Sequence, residues 1–346
     1  MAAGKAPVVV KFGSALIVDG NGEPRREVVA AAAAEISGSV RAGTPVCVVS
    51  SGAIALGRAA AGIGAGAGLP QLQAASALGQ ARLQALWNDA LHAYDLDAAQ
   101  VLLTAAEIAD RRAYLNVRAA LRALFDLGAV PVLNENDATA TDEISFGDND
   151  LLAAQVAVLL GAQKLFLLTS APGVMTDVPG SPGARVVESG AEARQARLGR
   201  PSTTGRGGME SKIGAAELAA GGGVPSWIAS PEDLPELLAG HDAGTFFAAG
   251  DRGEPAFKLW LRHGKRMVGA VRVDAGAARA IVAGNASLLA VGVTAVDGAF
   301  GVGDGVEIVD TAGRAIARGI AGVDSGGLAS RPTGVEVVHR DRLVVL

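Results

Sequence analysis

Short, continuous apolar runs alternate with longer alanine-rich segments through the first two thirds of the chain. The runs at Val8 to Phe12, Val46 to Val49, Val101 to Leu103, Val130 to Leu133, Lys164 to Leu168 and Pro225 to Ala229 predict strands buried on both faces. Between them, helices are predicted at Val28 to Val40, Ala53 to Ala61, Pro70 to Tyr94, Leu151 to Gly161 and Met209 to Ala220. Another runs to Leu127 from a capping box at Thr104 to Glu107. This order is that of an α/β fold, a three-layer αβα sandwich around a mainly parallel sheet. In such sheets ligands gather beyond the carboxyl ends of the strands. The polar motifs fall at those ends: Lys11 to Ser14, Ser50 to Ala53, Asn134 to Asp150, and Thr169-Ser170.

From about Asp251 the pattern changes. Lys258 to Leu261, Val268 to Val273, Val291 to Val296, Val306 to Val309 and Val335 to Val338 read as short strands between glycine turns, with one helix near Ala275 to Ala283. A small β-barrel-like domain is expected over 255–346, joined through Ala248 to Pro255 to a larger domain over 1–250.

Half of the 346 residues are hydrophobic and only 19% are charged, which suits a sizeable core and excludes a disordered chain. A net charge of −5 argues against a chain-wide nucleic-acid or membrane-surface role. No apolar run is long enough to span a bilayer, and the first residues lack a signal-peptide pattern, so a cytoplasmic protein is expected. The single cysteine, Cys47, excludes an internal disulfide framework.

The stretch Asn134 to Asp150 concentrates three asparagines and six carboxylates, and no Lys or Arg occurs between Arg122 and Lys164. Crowded carboxylates raise one another's pKa values unless a cation or a donor-rich ligand sits among them. The alternative is a solvated acidic loop. Gly205 to Lys212 is a glycine-rich loop running into a helix, an arrangement that binds anions through backbone N–H groups, although a surface loop explains it equally well. Lys11 interrupts a buried strand just before Gly13-Ser14, either snorkelling outward or aimed into the strand-end crevice. Two lysines, an anion-binding loop and a carboxylate cluster point to phosphoryl transfer, a reaction catalysed by positioning and charge neutralisation. In that reading the acidic residues hold Mg²⁺ and orient the lysines. His339-Arg340-Asp341 lacks the asparagine of a protein-kinase catalytic loop, and the glycines between Gly62 and Gly68 follow a helix rather than a strand.

Five motifs in order, Val9 to Ser14, Val49 to Gly57, Val132 to Asp137, Gly147 to Asp150 and Gly207 to Lys212, resemble the glutamate 5-kinase family of the amino acid kinase superfamily. Gly269 to Ala280, Leu288 to Val296 and Val338 to Leu343 resemble the PUA domain. The resemblance implies the amino acid kinase fold and transfer of the γ-phosphoryl group of ATP to the side-chain carboxylate of L-glutamate, the first step of proline biosynthesis. It implies that Lys11 and Lys212 stabilise the transferring group with Asp148 orienting them. Ser51, Gly52, Ala53, Asn134, Asp137 and Asn149 would then bind glutamate. Lys11, Gly13, Ser14, Thr169, Ser170 and Arg206, Gly207, Gly208, Met209, Glu210, Ser211 and Lys212 would line the nucleotide site. Asp148 and Asp150 are the metal-ligand candidates for Mg²⁺.

The family further suggests a homo-oligomer, feedback inhibition by proline, and RNA binding by the PUA-like domain. The chain departs from the family pattern at Ser170, where aspartate is usual, at Arg206, where threonine or serine is usual, and over Ala171 to Pro179. Two alternatives stand beside this reading. One is another amino acid kinase, acting on acetylglutamate, aspartate, carbamate or a nucleoside monophosphate. The other is an RNA-binding protein with a relic kinase domain.

Overall fold

The structure is a computed structural model describing residues 5–64, 66–104, 107–108, 111–139, 148–177, 185–193, 208–250, 258, 261–262, 267–284, 286–329 and 334–346. The chain divides into two compact units, Met1–Gly253 and Glu254–Leu346. No helix among the described residues is long and apolar enough to cross a membrane.

The first unit is built on a seven-stranded sheet. Its strands are β1 (Val8–Phe12), β2 (Val46–Ser50), β3 (Ala98–Leu103), β4 (Val130–Glu135), β5 (Lys164–Leu168), β6 (Ser226–Ala229) and β7 (Thr245–Phe247), in the order β3-β4-β2-β1-β5-β6-β7. All neighbours are parallel except β6 and β7. The antiparallel edge strand β7 was not visible in the apolar pattern because it is only three residues long. The chain runs from β1 outward through β2 on one side, then crosses from β4 to β5 on the other side of β1, and such a switch point leaves a crevice at the carboxyl ends.

The helices that frame the site are α1 (Ser14–Ile17), α2 (Arg26–Arg41), α3 (Ala53–Ala61), α4 (Leu69–His92), α5 (Arg111–Asp126), α6 (Asp148–Leu160) and α7 (Met209–Gly221). Side chains alternate across β1. Val8, Val10 and Phe12 join one hydrophobic cluster with Val29, Ala33 and Ile36 of α2 and Leu83, Trp87 and Leu91 of α4. Lys11 therefore projects to the other side of the sheet, which α6 covers. Seen along the chain, α6 is apolar nearly all round, and it is buried accordingly at Ala153, Ala154, Val156 and Ala157.

α3 and α4 touch backbone to backbone. A Cβ at Gly79 would lie 1.7 Å from the Ala53 carbonyl oxygen, and one at Gly57 would lie 1.7 Å from that of Ala75. Only glycine permits this approach, which fixes α4 against the start of α3 and hence against the end of β2.

The second unit holds a five-stranded sheet formed by Val293–Asp297, Met267–Val273, Gly305–Val309, Ala315–Ile320 and Leu343–Val345, in that spatial order, with a two-stranded ribbon of Leu288–Leu289 and Glu336–Val338. The expected helix is present at Ala275–Val282, its start capped by Asp274 Oδ1, which accepts from the Ala277 N–H at 2.8 Å. Lys258 and Leu261, expected in a strand, are helical instead. Their short apolar run fits either period, and run length alone could not decide between them.

Replacing Gly79 with alanine should force α3 and α4 apart and cost about 1–3 kcal/mol through overpacking. A thermal melt of Gly79→Ala that matched the wild type would show that the two helices can separate freely.

Candidate active site

Lys11 is 4% exposed at the carboxyl end of the central strand. Burial disfavours its charged form and lowers its pKa to about 8, against the attraction of Asp150 and with added repulsion from Lys212. Asp150 is fully buried in the first turn of α6, where the helix dipole favours a carboxylate. Lys212, fourth residue of α7, is 5% exposed. The Lys11 ammonium lies 2.6 Å from Asp150 Oδ1, and the Lys212 ammonium lies 2.9 Å from Oδ2. One carboxylate thus bridges two cations from distant parts of the chain. Burial alone would push the Asp150 carboxyl up, but the two ammoniums outweigh it and hold it below the usual range.

Beside this triad runs a chain of neutral hydrogen bonds. Asn149 Nδ2 donates to Asn134 Oδ1 at 2.8 Å and to Ser51 Oγ at 3.1 Å, while its Oδ1 accepts from the Glu135 N–H at 3.1 Å. Asn134 Nδ2 donates to Gln80 Oε1 at 2.7 Å. The end of β2 is pinned where the Ser51 N–H donates to the Phe12 carbonyl at 3.1 Å and Trp87 Nε1 donates to Ser50 Oγ at 2.9 Å. Gly52 follows with φ of +113°, a left-handed conformation that lets α3 start at Ala53 immediately behind Ser51. Asp137, buried just past β4, accepts from Ser76 Oγ at 2.9 Å. Burial raises its pKa, and the Ser76 hydrogen bond offsets part of that rise.

Ser51, Asn134 and Asn149 are thus joined in one network, while Asp137 is anchored separately to α4. The Gly13 turn lies beside Lys11: a Cβ there would sit 3.8 Å from the Lys11 ammonium and 3.8 Å from the Leu168 carbonyl at the end of β5. Ser14 is half-buried at the start of α1, Thr169 is half-buried just past β5, and Ser170 is exposed. Gly208 precedes α7 in extended conformation with no side-chain cap, so the first N–H groups of that helix have no side-chain acceptor at their N-cap. Met209 and Ser211 are half-buried and Glu210 is exposed. Arg206, Gly207 and the Asp148 side chain lie outside the described residues.

The geometry changes one assignment. Asp150, expected as a metal ligand, has each carboxylate oxygen on a lysine ammonium and so orients both lysines itself. Binding a metal there would displace a lysine and strand its charge in the interior. Ser76 and Gln80 were not singled out from the sequence. Their signal is two polar residues four apart on the buried face of an alanine-rich helix.

Residues 6–230 match the amino acid kinase family and residues 269–340 match the PUA domain. This chain belongs to the amino acid kinase family. Among curated relatives it is 42% identical over 361 residues to glutamate 5-kinase of Sphingopyxis alaskensis, covering 98% of this chain and 97% of that one. It is also 42% identical over 365 residues to glutamate 5-kinase of Novosphingobium aromaticivorans (98% and 96% covered), and 43% identical over 350 residues to that of Cereibacter sphaeroides (98% and 91% covered). Among solved structures, Giardia carbamate kinase shares the fold, with a TM-score of 0.51 at 18% identity over 71% of this chain and 99% of that one.

Asp150→Asn should destabilise the protein by about 3–5 kcal/mol at pH 7, since it leaves two buried ammoniums without a counter-charge. The Asp150 pKa is depressed in the folded state, so its contribution is present above about pH 4 and lost as pH falls below that. The deficit in denaturant midpoint should therefore shrink in acid. An equal deficit at pH 3 and pH 7 would contradict the ion-pair account.

Proposed function

We propose that this protein transfers the γ-phosphoryl group of ATP to the side-chain carboxylate of L-glutamate, giving γ-glutamyl phosphate and ADP, the first step of proline biosynthesis. The observation that carries this reading is the buried Lys11–Asp150–Lys212 triad at the strand-end crevice, adjoining the Ser51–Asn149–Asn134 network. With both lysines protonated the triad holds a net single positive charge, which suits it to a migrating anionic group. The glutamate carboxylate oxygen forms the new bond to phosphorus as the bond to the ADP oxygen breaks. No side chain of the protein becomes covalently modified.

Lys11 and Lys212 neutralise the equatorial oxygens of the transferring group, and Asp150 keeps both ammoniums in place. Asp137 receives the substrate ammonium, a charge partner that favours its ionised form in a buried setting. Ser51, Asn149 and Asn134, with the Gly52-Ala53 backbone, hold the rest of glutamate. Gly13, Ser14, Thr169, Ser170 and Gly208 to Ser211 face the nucleotide, whose phosphates meet the N-terminus of α7.

The described residues form no magnesium cage: no group of three acidic, histidine or cysteine side chains is gathered among them, and Asp150 is committed to the lysines. Magnesium is commonly held by substrate phosphates and water with few protein ligands, so we assign it to the bound ATP. The relic-kinase reading is disfavoured, because an idle site has no reason to keep two buried lysines on one carboxylate at the cost of their hydration.

A coupled ATPase assay over glutamate, acetylglutamate, aspartate and UMP tests the substrate, with turnover expected only on glutamate. Preference for any of the other three would replace the assignment. The same assay run against pH tests Lys11. Its protonated form is the working one, so kcat/KM should fall as pH rises through about 8. A profile flat to pH 10 would remove the Lys11 charge from the rate-determining chemistry.

A further inference from the structure

The amino-acid pocket has a wall that none of the motifs at the strand ends supplies. α4 places Ser76 and Gln80 one turn apart on its buried face, 3% and 7% exposed. Ser76 Oγ donates to Asp137 Oδ2 at 2.9 Å, and Gln80 Oε1 accepts from Asn134 Nδ2 at 2.7 Å. Residues four apart on a helix stack on one face, so both contacts come from a single rigid surface. That surface is indexed to the end of β2 by the contact of Gly79 with Ala53, and Gly79 lies between the two residues in sequence.

We propose that Ser76 and Gln80 are positioning residues for the amino-acid substrate: Ser76 fixes the carboxylate that takes the ammonium, and Gln80 fixes the amide relay that reaches Ser51. This rests on the glutamate-kinase reading and deepens it. Asp137 sits just past β4, and a carboxylate there could turn about its side-chain bonds. The Ser76 hydroxyl occupies one oxygen and so leaves the other to point at the substrate. The Glu135 N–H fixes the Asn149 amide at one end and Gln80 Oε1 accepts from Asn134 at the other, so Asn134 is held between them and Asn149 is left aimed at Ser51. A hydrogen-bonded chain of this kind has one self-consistent arrangement when all its members are present. α4 thereby serves recognition of the amino acid, whereas the triad serves the phosphoryl group.

The test is steady-state kinetics of the full chain with ATP and glutamate. Ser76→Ala should raise the glutamate KM about tenfold, the usual effect of losing a hydrogen bond to a charged group, while kcat and the ATP KM stay within about twofold. Ser76→Thr keeps the hydroxyl and should restore the glutamate KM. In an Asp137→Asn background Ser76→Ala should add nothing, because its partner's charge is already gone. Gln80→Met, which keeps the shape and removes the acceptor, should raise the glutamate KM independently.

An unchanged glutamate KM in both Ser76→Ala and Gln80→Met would overturn the inference. So would parallel rises in both KM values, or full additivity of Ser76→Ala with Asp137→Asn. A wild-type chain inactive on glutamate would instead overturn the proposed function, and this inference with it.

Discussion

A buried lysine ammonium is unstable alone, and this protein holds two of them, one at a strand end and one at a helix start, against one carboxylate. Removing a charge from water costs several kcal/mol, and two like charges placed close together add to that cost. Asp150 makes the arrangement tolerable by pairing with the Lys11 ammonium through one oxygen and accepting from Lys212 through the other. The balance is deliberately incomplete in charge: two cations face one anion. Burial, with the added repulsion of Lys212, holds the Lys11 pKa down to about 8 despite the attraction of Asp150. An arriving phosphoryl group supplies the missing negative charge and relieves the repulsion, so the interaction that strains the empty site favours the loaded one.

The rest of the first unit can be read as support for this cluster. β1 must be central for Lys11 to be buried, and α6 must begin at the strand ends for Asp150 to meet it. α7 must enter from the other half of the sheet to deliver Lys212. The neutral relay from Ser51 through Asn149 and Asn134 to Gln80 then grows outward from the residue next to Asp150, so the charged and neutral halves of the site share one helix turn. The glycine contact between α3 and α4 sets the far end of that relay. Each part fixes the next.

Much of this was legible in the sequence, and for physical reasons. Strands buried on both faces are continuous apolar runs, so five of the six expected in the first unit show as Val, Leu, Ile and Phe clusters, and strand ends are where polar residues gather. That brought forward the strand-end stretches holding Lys11, Ser51, Asn134 and Asn149, the glycine-rich loop before a helix brought Lys212, and their individual roles came from the family resemblance. What the chain could not display was partnership. Asp148 and Asp150 differ by two residues at a helix start, and the sequence alone does not show that Asp150 meets both Lys11 and Lys212. Ser76 and Gln80 sit inside an alanine-rich helix with no local motif around them. Their meaning comes from residues 61 and 54 positions away. The run at Lys258 to Leu261 misled because four residues carry too little periodicity to separate helix from strand.

The central claim is that both lysines act on one migrating phosphoryl group while sharing Asp150. A crystal structure with glutamate, ADP and aluminium fluoride in place of that group addresses it most directly. The account predicts both ammonium nitrogens within about 3 Å of the fluoride ligands, with Asp150 still bridging them. A complex in which either lysine stays on Asp150 but points away from the fluoride plane would contradict it.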